Sequence, residues 1–524
     1  MAQKTSYPPP RCTRTKNETR SLREETPRPP SRPAREKRQV DQDDDDDQPT
    51  LPSSPPPQGH NRRQKVDHSL DFQEEKNYHK PSNKTNVSES KEGAFSARLE
   101  KCMRTPVILE EPIRRHYQAP ESDLLVVAKE VVQRLLDAGH EAYLVGGSIR
   151  DMVLEDTPKD YDIATSALPK QVQKLFKKNV PVGIQFGTVM VLRKGYSYEV
   201  TTFRADGRYV DGRRPTEVIF ATVVEDVERR DFTINGLLYN AETEEVIDYV
   251  GGLEDLDAKI IRTIGDPFER FGEDRLRMLR AVRFASRLSF ALEDDTMKAI
   301  QQMAPRIHEV SGERIQQELM KILQGANPRR GVALLAETGL LKELIPAMED
   351  VQTCLHRMER LEHHTERDET LSLAMLLFDL SRDDAEDFLQ RYRFSNDHTK
   401  GTLTLLEQHP QLATFSEKSI AEQKKLVRQP YAHNLLLLGI DIATLQETPL
   451  ESLHDMQRKL TNWTKDDLRP TPLFNGNDLK TWGYQPGPHF KEIIFALEVA
   501  QLEGHLTELI QAKQWLQEHF PKEV

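Results

Sequence analysis

Two aspartates, Asp160 and Asp162, are separated by one residue and have the type and spacing to do chemistry. They fall at a short apolar stretch, 161–164, whose composition predicts a strand. In a strand, residues i and i+2 share a face, so both carboxylates point the same way. Two like charges held side by side call for a cation between them, and hard oxygen donors favour Mg²⁺. Taken alone, such a pair is equally the solvated end of a strand. Gly146-Gly147-Ser148, however, stands 14 residues before Asp160, at an expected strand-to-helix turn. Glycines let backbone N–H groups approach phosphates closely, and a helix start adds positive potential. Arg150 is then placed to clamp phosphate, and Asp151 to order the turn or to pair with Arg150. Glycines and paired aspartates together predict a site for a triphosphate and a metal.

The elements that must position these groups can be read from periodicity. Leu124, Ala128, Val131 and Leu135, with Leu125, Val132 and Leu136, recur at helical spacing from Ser122 to a stop at Gly139. A strand over 141–145, the Gly-Gly turn, a helix to Leu154 and the strand at 161–164 follow. A helix is expected over 169–177, then strands over 188–192 and 198–203 with Gly195 between them. Residues 122–250 therefore read as a small mixed α/β domain. Beyond Asp266 the pattern is almost entirely helical, broken at Pro305, Pro328, Pro346, Pro430 and 470–488. No repeat of fixed period is visible.

Composition bounds the function classes. The 524 residues, 37% hydrophobic and 30% charged, allow about three domains of ordinary size. Cys12, Cys102 and Cys354 are far apart and match no disulfide framework or metal knuckle. No apolar run of about 18 residues suggests a membrane span, and the first residues lack the apolar core of a secretory signal. A cytoplasmic, reducing setting is expected. Residues 1–100 carry 13 of the 32 prolines and an acidic run at 43–47. Such a segment cannot bury enough apolar surface to offset its chain entropy, so 1–118 is expected to be disordered. Met103 is one candidate start for the chain; a native peptide from before it would exclude that reading. The 1–118 segment holds 23 basic and 19 acidic residues, a net of +4, which leaves −16 of the total −12 for the rest. That balance looks unfavourable for nucleic acid, but binding follows local potential rather than the sum.

The same motifs resemble a known family. Gly146-Gly147-Ser148-x-Arg150-Asp151 followed by Asp160-x-Asp162 is similar to the nucleotidyltransferases that extend RNA 3′ ends. Arg229-Arg230-Asp231-Phe232-Thr233-Ile234-Asn235 resembles that family's next segment, and Glu273-Asp274-x-x-Arg277 its later one, ahead of 280–284. In order and spacing, these motifs identify the chain as a member of the class II (eubacterial-type) group. That group contains CCA-adding tRNA nucleotidyltransferases and bacterial poly(A) polymerases. The resemblance implies a polymerase-beta-like α+β head followed by an all-α neck, body and tail. It also implies a two-metal Mg²⁺ mechanism at Asp160 and Asp162, with Glu199 where the family places a third carboxylate. The expected division is a disordered tail (1–118), catalytic head (119–250), neck with a nucleotide-selecting helix (251–330), degenerate body (331–465) and tRNA-binding tail (466–524).

Within this frame the remaining residues acquire roles. Arg230, Asp231 and Asn235 are expected to join the head to the nucleotide pocket, with Arg230 as the nucleotide contact. Six arginines between 270 and 287, including Arg280 and Arg283, stand against two acids, Glu273 and Asp274, in and just before one predicted helix starting at Glu273. One turn apart, Asp274 can accept from an exocyclic amine while Arg277 donates to ring acceptors. Cytosine and adenine present an amine there; uracil and guanine present a carbonyl. That pair explains selection of C and A without a template, although the same spacing also suits a surface ion pair. Residue 236 is Gly where the family usually has Ala. Asp211 and Arg213-Arg214 resemble the flexible loop that CCA-adding members need for the switch to A. Trp463, Trp482 and Trp515 are expected in helix packing rather than on RNA. His356, His363, His364 and Asp379 suggest a metal phosphohydrolase, but Phe378 replaces the histidine of an adjacent His-Asp, so a scaffold is expected. The resulting function is addition or repair of the tRNA 3′ CCA from CTP and ATP. A-only addition, poly(A) synthesis and a non-catalytic RNA-binding relative are the alternatives. No membrane contact is expected, and no protein partner is identifiable from the sequence.

Overall fold

The computed structural model describes residues 108–183, 186–206, 218–365 and 367–521. Its organising element is an eight-stranded mixed sheet. The strands are β1 (Ile113–His116), β2 (Ala142–Val145), β3 (Asp162–Thr165), β4 (Asn179–Val180), β5 (Thr188–Arg193), β6 (Tyr196–Thr202), β9 (Leu238–Asn240) and β10 (Glu245–Asp248), in the spatial order β1-β10-β9-β2-β3-β6-β5-β4. Between β6 and β9 in the chain, β7 (Arg204–Asp206) and β8 (Val218–Phe220) form a separate antiparallel pair. All neighbours in the large sheet are antiparallel except β3 and β6. The strand at Ile113–His116 corrects the expectation of disorder up to 118. It is polar and exposed, without the alternation that marks a strand, and is held by pairing with β10.

The helix Asp123–Asp137 follows the predicted pattern, capped by the Ser122 hydroxyl, which accepts from Leu125 N–H. Its buried Leu125, Ala128, Val131, Val132 and Leu135 cover one face of the sheet, against Leu144, Ile163, Val189, Val191, Tyr198 and Val200. The hydroxyl of Tyr198 donates to the Leu124 carbonyl at 2.8 Å and ties helix to sheet. The opposite face carries a second cluster, Val145, Ala164, Phe203, Val227, Leu238, Ile247, Val250 and Ile264. The helix Gly147–Val153 is where the Gly-Gly turn predicts it, and Pro169–Leu175 ends slightly early. The β5–β6 hairpin turns through Lys194 and Gly195, both at positive φ.

From Pro267 onward the chain is helical apart from a two-residue parallel pairing of β11 (Ile260–Ile261) with β12 (Ala291–Leu292), too short to read from sequence. Where one helix is expected from Glu273, the structure has two, Pro267–Glu273 and Leu276–Leu288, with Asp274 extended between them. The last helices close on their own core of Phe474, Leu479, Ile493, Leu497, Ala500, Leu506, Ala512 and Leu516. Trp482 and Trp515 pack against that core and Trp463 against the main one, as expected of packing residues.

Candidate active site

The sheet itself builds the carboxylate edge. β2 ends at Val145, opposite Asp162 in the antiparallel register, so the glycine turn emerges beside Asp162. β3 and β6 run parallel with Ile163 beside Val200, which puts Asp162 and Glu199 one step earlier on adjacent strands. Ile163, Tyr198 and Val200 point into the core, so alternation turns Asp162 and Glu199 to the other face, where both are exposed. Asp160 lies just ahead of the strand, which begins at Asp162 rather than at 161. Tyr161 between them is buried, so both aspartates still face solvent.

The carboxyl of Asp162 is pushed up to about 6. Surrounding protein withdraws water from it, Glu199 and Asp160 add like charge, and Arg230 opposes them. Among the described residues no three His, Cys, Asp or Glu side chains converge as a ready-made cation cage. Asp160, Asp162 and Glu199 are thus a partial set of hard oxygen donors short of positive charge. That fits Mg²⁺, which takes one or two carboxylates and completes its shell with water and phosphate oxygens.

A cleft of about 500 Å³ opens next to this edge. Eleven of the residues singled out in the sequence line it: Gly146, Gly147, Arg150, Asp162, Arg230, Asp231, Asn235, Asp274, Arg277, Arg280 and Arg283. They come from segments up to about 140 residues apart in the chain. Gly146 has φ +79°, and a Cβ there would meet the Arg230 guanidinium at 3.1 Å. A glycine is therefore needed both for the turn and for the approach of that cation. Arg230 is held by Asp226 at 3.0 Å, and its buried Nε has no hydrogen-bond partner among the described residues. Ser148 differs from expectation: its side chain is buried and donates to the Val145 carbonyl, so it closes the turn instead of facing the cleft.

Behind the cleft wall runs a continuous polar chain. Asp231, 8% exposed, accepts from Arg280 at 2.5 and 2.8 Å and from the Asn235 side-chain amide at 2.9 Å. Asn235 in turn accepts from Arg150 at 2.6 Å, and Arg150 pairs with Asp151, which also meets Arg287. Asp231 and Asn235 thus line the cleft while tying its arginines together, and the Arg150–Asp151 pair forms as the local reading anticipates. Burial works against the charge of Asp231, yet Arg280 and the amide of Asn235 outweigh it and hold the carboxyl at about 2. Arg150, Arg280 and Arg283 all lie over the Phe284 ring, Arg283 at 4.2 Å. Burial lowers the pKa of Arg150 and of Arg283, the mark of cations crowded where an anion would relieve them.

Asp274 and Arg277 both line the cleft but do not pair with each other. Asp274 takes a two-pronged contact from Arg314, at 2.7 and 3.1 Å. Arg277 donates to Glu273 at 2.5 Å and to the carbonyls of Arg270 and Arg229. The two remain one turn apart, with the Arg277 N–H donating to the Asp274 carbonyl at 3.1 Å, just after the break between the two helices. Sequence reading missed Arg229, Leu276, Phe284, Arg287 and Arg314 as lining residues. Arg229 and Arg287 sit inside the arginine-rich segments that did carry a signal. Arg314 lies 40 residues from Asp274 with no motif to flag it. Asp211, Arg213 and Arg214 lie outside the described residues; β7 and β8 pair at the ends of their segment. The histidine group is scattered: Asp379 pairs with Arg357, and His364 with Asp441 at 2.6 Å.

Comparison with known proteins agrees with this geometry. Residues 142–262 match the poly A polymerase head domain, 289–351 the probable RNA and SrmB-binding site of polymerase A, and 362–512 the putative tRNA nucleotidyltransferase domain 2. A CCA-adding enzyme of Limosilactobacillus reuteri is 37% identical over 72% of this chain and 93% of its own length. One from Streptococcus pneumoniae is 36% identical over 72% and 93%. The crystal structure of the Bacillus stearothermophilus CCA-adding enzyme in complex with CTP superposes with a TM-score of 0.63 at 30% identity, covering 76% of this chain and 98% of that one. With an assembled carboxylate edge, glycine turn and arginine cleft, and with relatives matched over nearly their whole length, this chain belongs to the class II CCA-adding nucleotidyltransferase family.

Proposed function

We propose that this chain builds or repairs the 3′-terminal CCA of tRNA, taking CTP and ATP as substrates without a nucleic-acid template. One observation carries the reading: a single cleft joins an acidic edge, Asp162 beside Glu199, to an arginine wall that includes Asp274 and Arg277. In the reaction a bond forms between the RNA 3′-oxygen and the α-phosphorus, and the bond to the bridging oxygen of pyrophosphate breaks. Arg230 and the Gly146–Gly147 turn hold the triphosphate. Arg150 and Arg283 supply positive potential from behind. Asp160 and Asp162 would hold two Mg²⁺ ions, whose chemistry is to activate the 3′-hydroxyl and neutralise developing phosphate charge. Glu199 faces the incoming hydroxyl. Asp274 accepts from the amine of cytosine or adenine and Arg277 donates to the adjacent ring acceptors, so a carbonyl at that position meets a carboxylate. The sheet domain (119–250) serves as head, 251–330 as neck, 331–465 as body and 466–524 as the tRNA-binding tail, acting in the cytoplasm. No helix among the described residues is long and apolar enough to cross a membrane.

The test is incorporation by purified protein onto tRNA lacking its 3′ end, with each nucleotide alone and with CTP and ATP together. Two C residues and one A, followed by arrest, are expected. Long runs of A from ATP alone, with CTP ignored, would instead make the chain a poly(A) polymerase. Asp162→Ala is expected to lower the rate roughly a thousandfold, equivalent to about 4 kcal/mol of barrier, with the melting curve unchanged.

A further inference from the structure

The helix break at Asp274 raises a problem that the base-reading role does not itself solve. Asp274 has extended backbone angles, φ −145° and ψ 105°, at the junction of two helices. One bond, from the Leu276 N–H to Oδ1 at 3.1 Å, ties its side chain to the start of the next helix, and a single bond leaves the carboxylate plane free to turn about it. Yet discrimination between an amine and a carbonyl requires its acceptor lone pairs to point one way. The structure supplies that constraint from a third element. Arg314, in the first turn of the helix Gly312–Leu323, reaches across so that its two terminal nitrogens meet the two carboxylate oxygens, at 3.1 Å to Oδ1 and 2.7 Å to Oδ2. A guanidinium and a carboxylate joined by two prongs are coplanar, which fixes the carboxylate plane as a single bond does not.

We infer that Arg314 is a specificity-determining positioning residue: it orients Asp274 so that one acceptor position is left to meet the exocyclic amine of the incoming nucleotide. This assignment rests on the base-reading role proposed above for Asp274. The acceptor arithmetic supports it. A carboxylate offers four lone pairs. Oδ1 of Asp274 receives Arg314 and also the Leu276 backbone N–H at 3.1 Å, and Oδ2 receives Arg314. Among the described residues that leaves a single lone pair, on Oδ2. Both Asp274 and Arg314 line the cleft and are partly exposed, at 18% and 22%, so the open position is accessible to a ligand. Arg277 cannot substitute, because its guanidinium is directed to Glu273 and to the Arg270 and Arg229 carbonyls.

The experiment compares kcat/KM for CTP and UTP on tRNA lacking its 3′ CCA. It uses the full-length protein and its Arg314→Gln, Arg314→Lys, Asp274→Ala and Asp274→Ala/Arg314→Gln forms. Arg314→Gln is expected to cut the preference for CTP over UTP at least about tenfold, the worth of one hydrogen bond to a charged group. Arg314→Lys, a point charge without the fork, should fall between. The double variant should discriminate no worse than Asp274→Ala alone, because Arg314 acts through Asp274. A purely structural role would lower both nucleotides together and leave their ratio untouched, and that ratio is also readable in Arg314→Lys if the glutamine form folds poorly. An unchanged ratio in both Arg314 variants, with the ratio lost in Asp274→Ala, overturns this inference and spares the base-reading role. An unchanged ratio in Asp274→Ala overturns both.

Discussion

At the residue scale, Asp231 shows how a cleft-lining motif residue also anchors its neighbours. It is nearly buried, it anchors Arg280 and Asn235, and its carboxyl is held at about 2 against the usual value near 4. Because the folded value is depressed, the charged form adds stability that is present above about pH 5. That stability declines as acid protonates the unfolded chain, and most of it is gone as pH falls through 2. The difference is worth about 2 kcal/mol. Denaturant unfolding of Asp231→Asn is therefore expected to show a loss of that order at pH 7, shrinking toward pH 2. A loss independent of pH would mean that Arg280 gains nothing from the charge. The sequence singled out Asp231 from its place in a motif. Its role as an anchor follows from the partners folding brings to it, one of them 49 residues away.

At the element scale, the junction around Gly236 explains a departure from the family pattern. A Cβ at Gly236 would stand 2.7 Å from Cγ2 of Val250 and 3.2 Å from Cδ1 of Ile264. The segment Thr233–Asn235 and the turn after β10 are packed so closely here that alanine fits only if Val250 moves. Gly236→Ala is expected to destabilise by about 1–2 kcal/mol through overpacking. Val250→Ala in the same chain should be less harmful than the two single effects added together, as a double-mutant cycle of melting or denaturant curves would show. Strict additivity would remove the steric account. Long amphipathic elements such as Asp123–Asp137 were legible because their own apolar periodicity defines them. The edge strand Ile113–His116 was not, since it depends on pairing with β10, and the break at Asp274 interrupts a segment whose composition reads as one helix.

At the scale of the whole molecule, net charge and local potential point in opposite directions. The chain carries −12, yet Arg150, Arg229, Arg230, Arg277, Arg280, Arg283, Arg287 and Arg314 converge on one cleft. Their acidic partners, Asp151, Asp226, Asp231, Glu273, Asp274 and Glu318, are held in ion pairs, six anions against eight cations. RNA binding is accordingly expected to weaken as salt rises. With three or more phosphate contacts, raising monovalent salt from about 50 to 200 mM should cost on the order of tenfold in affinity. Arg287→Glu, at the exposed rim of the cleft, should flatten that slope. Salt-independent binding would show that the arginines serve packing alone.

The sequence by itself determined the family, the candidate reacting groups and the elements with strong internal periodicity. Residue type, short-range spacing and apolar alternation are properties of the chain alone. Tertiary structure decided which of those groups meet. It placed Glu199 beside Asp162 through a parallel strand pairing, turned Ser148 inward, and broke the expected single helix at Asp274. It also gave Asp274 an arginine that no motif announces. Such pairings are set by sheet register and helix packing between segments tens of residues apart, where spacing along the chain no longer measures distance in space.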